Sequence, residues 1–261
     1  MDILDQITAH KRLEVAARKQ EVPLSVLQAR VEPLLDTPQP SLAAALQASP
    51  SGIIAEFKRK SPSKGWIKEA GRAEEIPLSY QQNGASALSI LADEKYFGGS
   101  PEFIAAARRS GVTLPILFKE FVVDEYQLFQ ARLCGASAVL LIAAELDLES
   151  CRFLLEKAHA LGLEVLLEMH SEKELEYAAL QPDICGINNR NLGSFVTNVE
   201  NSFRLCEKLP SQAVKVSESG IGDPATLRAL RSCGFQGFLM GERFMKEADP
   251  GAALGQFIAC L

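Results

Sequence analysis

Leu154-Leu155-Glu156-Lys157-Ala158-His159-Ala160-Leu161-Gly162-Leu163-Glu164-Val165-Leu166-Leu167-Glu168 holds a whole structural repeat. Apolar residues at helical spacing run up to Leu161. Gly162 then stands where a helix ends in a left-handed turn, which a residue without Cβ enters at little steric cost. A short β-prone run follows and stops at a carboxylate. The same punctuation recurs in Ser110-Gly111-Val112, Cys134-Gly135-Ala136 and Cys233-Gly234-Phe235. Another helical pattern, Tyr126-Gln127-Leu128-Phe129-Gln130-Ala131-Arg132-Leu133, precedes the second of these. Strands that alternate with helices make βαβ units and a parallel sheet.

Working outward, β-prone runs occupy residues 53–57, 87–91, 115–118, 138–142, 165–168, 184–187, 213–217 and 237–240. Eight units of about 20 to 30 residues fit a closed (β/α)8 TIM barrel. An open doubly wound sheet usually has fewer strands and often a GxGxxG after its first, which is missing here. Residues 1 to about 48 differ. Ile3-Leu4-Ile7 and Leu13-Val15-Ala16 are spaced as an amphipathic face among Lys11, Arg12, Arg18 and Lys19. Pro23 and Thr37-Pro38-Gln39-Pro40 break the pattern, and Ser41 is placed to cap a short helix over residues 42–46. The expectation is one barrel domain, 1–261, with residues 1–48 as an N-terminal helical extension.

Of the 261 residues, 47% are hydrophobic and 23% charged, the balance of an ordinary globular chain. A net charge of −6 argues against nucleic acid or an anionic membrane as partner. The 6 cysteines include no CxxC and read as free thiols of a reducing cytosol. His10, His159 and His170 show no metal-ligand spacing, so no zinc site is expected. No signal peptide and no run of about 18 apolar residues is visible; a cytoplasmic protein is expected, and we take it as a monomer.

Barrel sites lie at the C-terminal ends of the strands, so the polar residues ending each run are the informative ones. They are Glu56 with Lys58, then Lys119, Glu168, Asn188-Asn189-Arg190-Asn191, Ser217-Glu218-Ser219-Gly220 and Gly241-Glu242. Glu56 and Lys58 are two apart and share the inner face with Ile54, while Phe57 faces the helices. Opposite charges inside a barrel are costly unless they pair or serve a site. Four titratable groups converging on one rim signal a site. Glycine-rich turns after runs seven and eight match a phosphate cradle of backbone N–H groups. The substrate expected is a small phosphorylated metabolite.

Ile54-Ala55-Glu56-Phe57-Lys58-Arg59-Lys60-Ser61-Pro62-Ser63 resembles the signature of the indole-3-glycerol-phosphate synthase family. Further matches follow in order. They are Phe118-Lys119-Glu120-Phe121-Val122-Val123-Asp124, Leu167-Glu168-Met169-His170, Gly186-Ile187-Asn188-Asn189-Arg190-Asn191-Leu192, Ser217-Glu218-Ser219-Gly220-Ile221 and Gly241-Glu242. The resemblance covers essentially the whole chain. It implies a decarboxylating lyase of tryptophan biosynthesis. Such an enzyme converts 1-(2-carboxyphenylamino)-1-deoxyribulose 5-phosphate into indole-3-glycerol phosphate, CO2 and water, with no metal or organic cofactor. Lys119 then matches the general acid of ring closure. Lys58 matches a second lysine that meets the substrate's carboxylate or phosphate, and Glu56 and Glu168 match the carboxylates that position the lysines and exchange protons. Dehydration stays open between Lys58 and Glu168. Ser61, Asn188 and Arg190 match groups that hold the substrate's carboxylate and hydroxyls. Glu218 matches a rim residue by the phosphate loop, and Ser219, Gly220, Gly241 and Glu242 match phosphate contacts. Phe97 and Phe121 match apolar walls for the ring. The resemblance also places the N-terminal extension over the top of the barrel, and other tryptophan-pathway enzymes are possible partners.

Two positions depart from the family pattern: Glu120 stands where Asp is commoner, and Glu242 where Ser is often found. A hydroxyl contact is lost at the second, and a carboxylate there repels phosphate unless it points away. The competing readings are phosphoribosylanthranilate isomerase and a non-catalytic phosphate-metabolite sensor. The first needs a cysteine at the end of run one, where none stands. The second predicts loss of Lys58 and Lys119, which are both present.

Overall fold

Eight parallel strands close into a barrel in the computed structural model, which describes residues 3–191 and 196–261. They are β1 (Ile53–Phe57), β2 (Ala87–Leu91), β3 (Ile116–Lys119), β4 (Ala138–Ile142), β5 (Glu164–Met169), β6 (Ile184–Asn188), β7 (Val214–Glu218) and β8 (Gly237–Met240). Spatial order follows the chain, with β1 pairing β8 to close the ring. Helices connect the strands on the outside, except after β5, where the chain forms a 3-10 helix, Glu172–Leu180. The four glycines expected to end helices have positive φ: 102° at Gly111, 87° at Gly135, 69° at Gly162 and 106° at Gly234.

Period-two alternation sorts the strands into two cores. Ala55 and Phe57 of β1 join the large core between sheet and helices, whereas Ile54 joins the smaller core inside the barrel. Leu117, Leu166 and Val216 extend that inner core around the ring. Glu56 continues the inner face of β1 toward the C-terminal rim, called the top below.

Three helices precede β1: α1 (Ile3–Glu21), α2 (Leu24–Val31) and α3 (Leu42–Ala48). They do not all lie over the top, which corrects the expectation for residues 1–48. Ile3, Leu4 and Ile7 of α1 cover the top cleft. α2 packs on the outer helix Glu125–Cys134. α3 plugs the opposite end, with Leu42 and Leu46 inside the barrel core. Ser41 caps it, accepting from the Ala44 N–H. Glu164, the first residue of β5, accepts from the Leu42 N–H at 2.6 Å, the Ala43 N–H at 3.0 Å and the Ser41 hydroxyl. β8 begins with glycine because a Cβ on Gly237 would fall 2.6 Å from Val216 Cγ2 and 2.9 Å from Leu46 Cδ1. Amphipathic spacing signals that a helix docks; it carries no address.

The buried stripe of α1 also differs from the expected one. It runs Leu4, Ile7, Lys11, Val15, while Leu13 is 72% exposed. Three- and four-residue steps define that stripe, and a lysine occupies one of its apolar slots.

Candidate active site

The top rim is assembled from strand ends. Glu56 is the last inward residue of β1, and its carboxylate accepts from Lys58 Nζ at 2.5 Å. Ser89 Oγ of β2 lies 3.5 Å from its other oxygen. Gly241 makes this possible, since a Cβ there would stand 2.5 Å from Glu56 Oε1. Lys119 ends β3 and reaches across the barrel. Its Nζ lies 2.8 Å from Glu168 Oε2 of β5 and 2.8 Å from Glu218 Oε2 of β7. Gly186 of β6, between those strands, leaves the room: its added Cβ would sit 2.5 Å from Glu218 Oε1.

Glu168 is 2% exposed and well partnered. Asn188 Nδ2 donates to its Oε1 at 3.1 Å, and His170 Nε2 lies 3.2 Å from the same atom. Burial alone would raise its pKa, but Lys119 and His170 outweigh burial and hold the carboxyl well below its ordinary value. Burial would likewise lower the Lys119 ammonium, yet Glu168, Glu218 and Glu56 raise it overall. Glu218 goes the other way. Burial, only partly offset by Lys119, and the neighbouring Glu168 push it up to about 8. His170 is driven down by burial, but Glu168 and Glu174 lift it to about 10. The two neighbouring cations thus favour an ionised Glu168, whereas burial and the Glu168 charge favour the protonated form of Glu218.

These groups open into a cleft at the top of the barrel. Phe97 and Phe121 wall one side, their ring centroids 5.8 Å apart, and Leu140 and Ile142 lie below. Ser61 lines the cleft too, and its buried Oγ has no hydrogen-bond partner among the described residues. Arg190 donates to Ser63 Oγ at 3.3 Å, and its N–H donates to Asn188 Oδ1 at 3.0 Å.

A second pocket adjoins the first through Glu56, Lys58, Arg190, Ser219 and Leu239. Ser219, Gly220, Gly241 and Glu242 line it. Ser219 (φ 68°) and Gly220 (φ 79°) are consecutive left-handed residues. For Ser219 that backbone is strained. Successive positive-φ residues belong to the turn geometries that gather N–H groups around an anion. Asn189 braces the turn, donating to the Ser219 carbonyl at 3.0 Å and to Ser217 Oγ at 3.1 Å. Glu242 points toward cations: Arg190 Nη2 is 3.7 Å away and Lys64 Nζ 3.9 Å away.

The structure thus brings every residue given a catalytic or substrate-binding role in the sequence to two joined pockets, while Asn189, Asn191 and Ser217 line neither. Leu192, the last residue of the motif begun at Gly186, lies outside the described residues. Sequence reasoning passed over His170, which lies two residues past Glu168, and the bracing role of Asn189. It also missed Arg243 and Lys246, which line the second pocket. The signal for the last two was their place one turn after Gly241. Among the described residues no group of three His, Cys, Asp or Glu side chains is arranged to hold a metal, and no helix is long and apolar enough to cross a membrane.

Comparison with known proteins places this geometry in a family. The family model described as indole-3-glycerol phosphate synthase matches residues 4–257. The chain is 56% identical to the indole-3-glycerol phosphate synthase of Bacteroides thetaiotaomicron, across 100% of this chain and 99% of that one. It is 43% identical to the enzyme of that name from Burkholderia vietnamiensis, across 98% of each chain. Among solved structures, a 3-hexulose-6-phosphate synthase superposes with a TM-score of 0.64 at 16% identity, covering 80% of this chain and 99% of that one. A mutant tryptophan synthase alpha-subunit from Pyrococcus furiosus gives 0.61 at 13% identity, covering 81% of this chain and 97% of that one. These two share the barrel alone. With its sequence matched from end to end, the chain belongs to the indole-3-glycerol phosphate synthase family.

Proposed function

We propose that the chain closes the indole ring of indole-3-glycerol phosphate. Its substrate is 1-(2-carboxyphenylamino)-1-deoxyribulose 5-phosphate, and CO2 and water leave. The observation that carries this reading is Lys119 Nζ, held 2.8 Å from two carboxyl groups at the edge of a cleft with aromatic walls.

The phosphate enters the second pocket and meets N–H groups at Ser219, Gly220 and Gly241, with Lys58 between the pockets. The aromatic ring lies against Phe97 and Phe121. Ser61 and Arg190 hold its carboxylate, and Asn188 a hydroxyl. The ring carbon bearing the carboxylate attacks the ribulose carbonyl, and negative charge builds on the carbonyl oxygen. Lys119 meets that charge and donates a proton; this interaction is strongest in the transition state, where it accelerates the step. Loss of CO2 restores the aromatic ring. Dehydration then needs an acid for the departing hydroxyl and a base for the proton lost from the new ring. Glu168, ionised between Lys119 and His170, takes the base's part, and Lys58 the acid's. Glu218, 2.8 Å from Lys119 Nζ and with its pKa raised by burial, is placed to return a proton to Lys119.

We place this activity in one cytoplasmic domain acting as a monomer, with residues 1–48 as its extension. The test is the purified chain with the carboxyphenylamino substrate, followed by indole fluorescence. Substrate turnover with the indole emission is expected; no indole product would overturn the reading.

A further inference from the structure

A second buried lysine stands outside the reaction described above. Lys11 is 1% exposed in an apolar slot of α1. Its Nζ lies 2.9 Å from Glu14 Oε2, 2.9 Å from Asp93 Oδ2 and 3.1 Å from Glu120 Oε2. Asp93 and Glu120 are as buried as Lys11, at 0% and 2%. Arg18 shares Glu14, at 2.5 Å.

Two of these carboxylates, Asp93 and Glu120, hold part of the cleft. Asp93 caps the short helix Glu94–Phe97, accepting from the Tyr96 N–H at 2.7 Å and the Phe97 N–H at 3.2 Å. Glu120 follows Lys119 directly, and its second oxygen accepts from the Phe121 N–H at 2.9 Å. One ammonium on α1 therefore binds the groups that fix both aromatic walls and the backbone beside the acid. Docking α1 does not require this charge, because burying an ammonium costs more than burying an apolar side chain of similar length. The charge adds direction, which an apolar contact lacks.

We propose that Lys11 is a positioning residue for the reaction: through Glu120 and Asp93 it couples α1 to the placement of Lys119, Phe97 and Phe121. The proposal rests on Lys119 being the acid. Misplacement of a reacting group by about 1 Å can cost about 10²-fold in rate.

The experiment compares Lys11→Met with wild type in two ways. Amide hydrogen exchange in the substrate-free protein should quicken at Phe121 and Phe97 and stay unchanged in β6 and β7. In the fluorescence assay, kcat should fall about 10- to 100-fold while KM moves less than about threefold, and Lys11→Arg should recover most of the loss. A raised KM with kcat intact would make Lys11 part of the cover only. Lower stability with both constants intact would make it structural only. Either result overturns the proposal. If Lys11→Met does not fold, Glu120→Gln replaces it; an unchanged kcat and unchanged exchange at Phe121 then overturn the proposal. Wild type without indole synthesis would sink the functional reading, while the exchange measurement would still decide whether Lys11 holds the two loops.

Discussion

The barrel interior ends in hydrocarbon at its bottom and in charge at its top, and one N-terminal segment reaches both ends. Below, Leu42 and Leu46 of α3 join Ile54 and Val216 in a dry core. Above, Glu56, Lys119, Glu168 and Glu218 face one another across the same interior. α1 reaches this upper end with Ile7 over the cleft and Lys11 in its ion-pair cluster. Apolar burial is strong and non-directional, so the lower end serves stability. The upper end bears the cost of buried charge and in return orients the groups that meet substrate. Changes at the two ends should therefore separate cleanly in their effects.

The largest separation is expected at Lys119. Lys119→Ala should lower kcat by about 10²- to 10⁴-fold, the usual contribution of a positioned acid, with a much smaller change in substrate affinity. Near wild-type kcat would remove Lys119 from the chemistry. Glu168→Gln should come next, by about 10²-fold or more. The amide still fits beside Asn188 but cannot take a proton. Inorganic phosphate should bind this variant as it binds wild type, since the pocket proposed for phosphate lies at the ends of β7 and β8. A variant that failed to fold would mark Glu168 as structural instead.

At the lower end, Leu46→Ala should cost about 2–5 kcal/mol of stability, the usual range for a buried leucine. Urea unfolding would measure it, with kcat and KM unchanged. Ile7→Ala, on α1, should show the converse, a raised KM with a smaller stability loss. Identical profiles for the two variants would dissolve the distinction between the ends.

The difference between the ends also explains what was legible in the sequence. Strand positions were readable because β-prone runs, helix-ending glycines such as Gly162 and period two are local signals. Site residues were readable because they stand where the runs end, Lys119 and Glu168 among them. The path of α3 was not readable. Its address is a fit to Gly237 and Glu164, far along the chain, and Leu42 and Leu46 look the same for any apolar destination. Lys11 was hidden for the same reason: its partner Glu120 is 109 positions away. Seen alone, Lys11 is one more charge on a helix with several. The turn after β7 was signalled by its glycines, but the left-handed backbone of Ser219 was not, because only the flanking structure holds a serine there.

Proton linkage offers a finer probe, since four raised Glu and His groups sit toward the charged end. Burial, opposed by Lys11 and helped by Asp93, lifts Glu120 to about 7. Burial, against a hydrogen bond from Thr8, lifts Glu145 to about 8. Glu218 at about 8 and His170 at about 10 complete the set. Each binds its proton more tightly folded than unfolded, where Glu titrates near 4.3 and His near 6.5. Their stabilisation is full below those unfolded values and is lost as pH rises through the folded ones. Glu168, held low, contributes the opposite: stability present above about pH 4.3 and lost on acidification. The Tm should therefore fall between about pH 6 and about pH 9. Leu46→Ala should lower the whole curve without changing its slope, whereas Glu120→Gln should flatten it. A wild-type Tm that rises over this interval would contradict the assigned shifts.

The smallest effect is expected at the rim of the phosphate pocket, where Glu242 replaces the serine common in the family. Its carboxylate is 38% exposed and stands 3.7 Å from Arg190 and 3.9 Å from Lys64. Pairs of that length and exposure are worth about 0–1 kcal/mol, so neither is a strong brace. The carboxylate repels an incoming phosphate dianion. Glu242→Ser removes that repulsion and offers a hydroxyl donor. The substrate and inorganic phosphate should each bind the variant about 2- to 5-fold more tightly, with kcat unchanged because Lys119 and its carboxyl partners are untouched. Salt separates repulsion from shape. Near 1 M ionic strength the screening length shrinks to about 3 Å, so an electrostatic advantage should fade there and a steric one should persist. Weaker phosphate binding in the serine variant would reverse the assignment. Glu242 would then hold Arg190 in its binding position, and the charged end would extend to the phosphate rim.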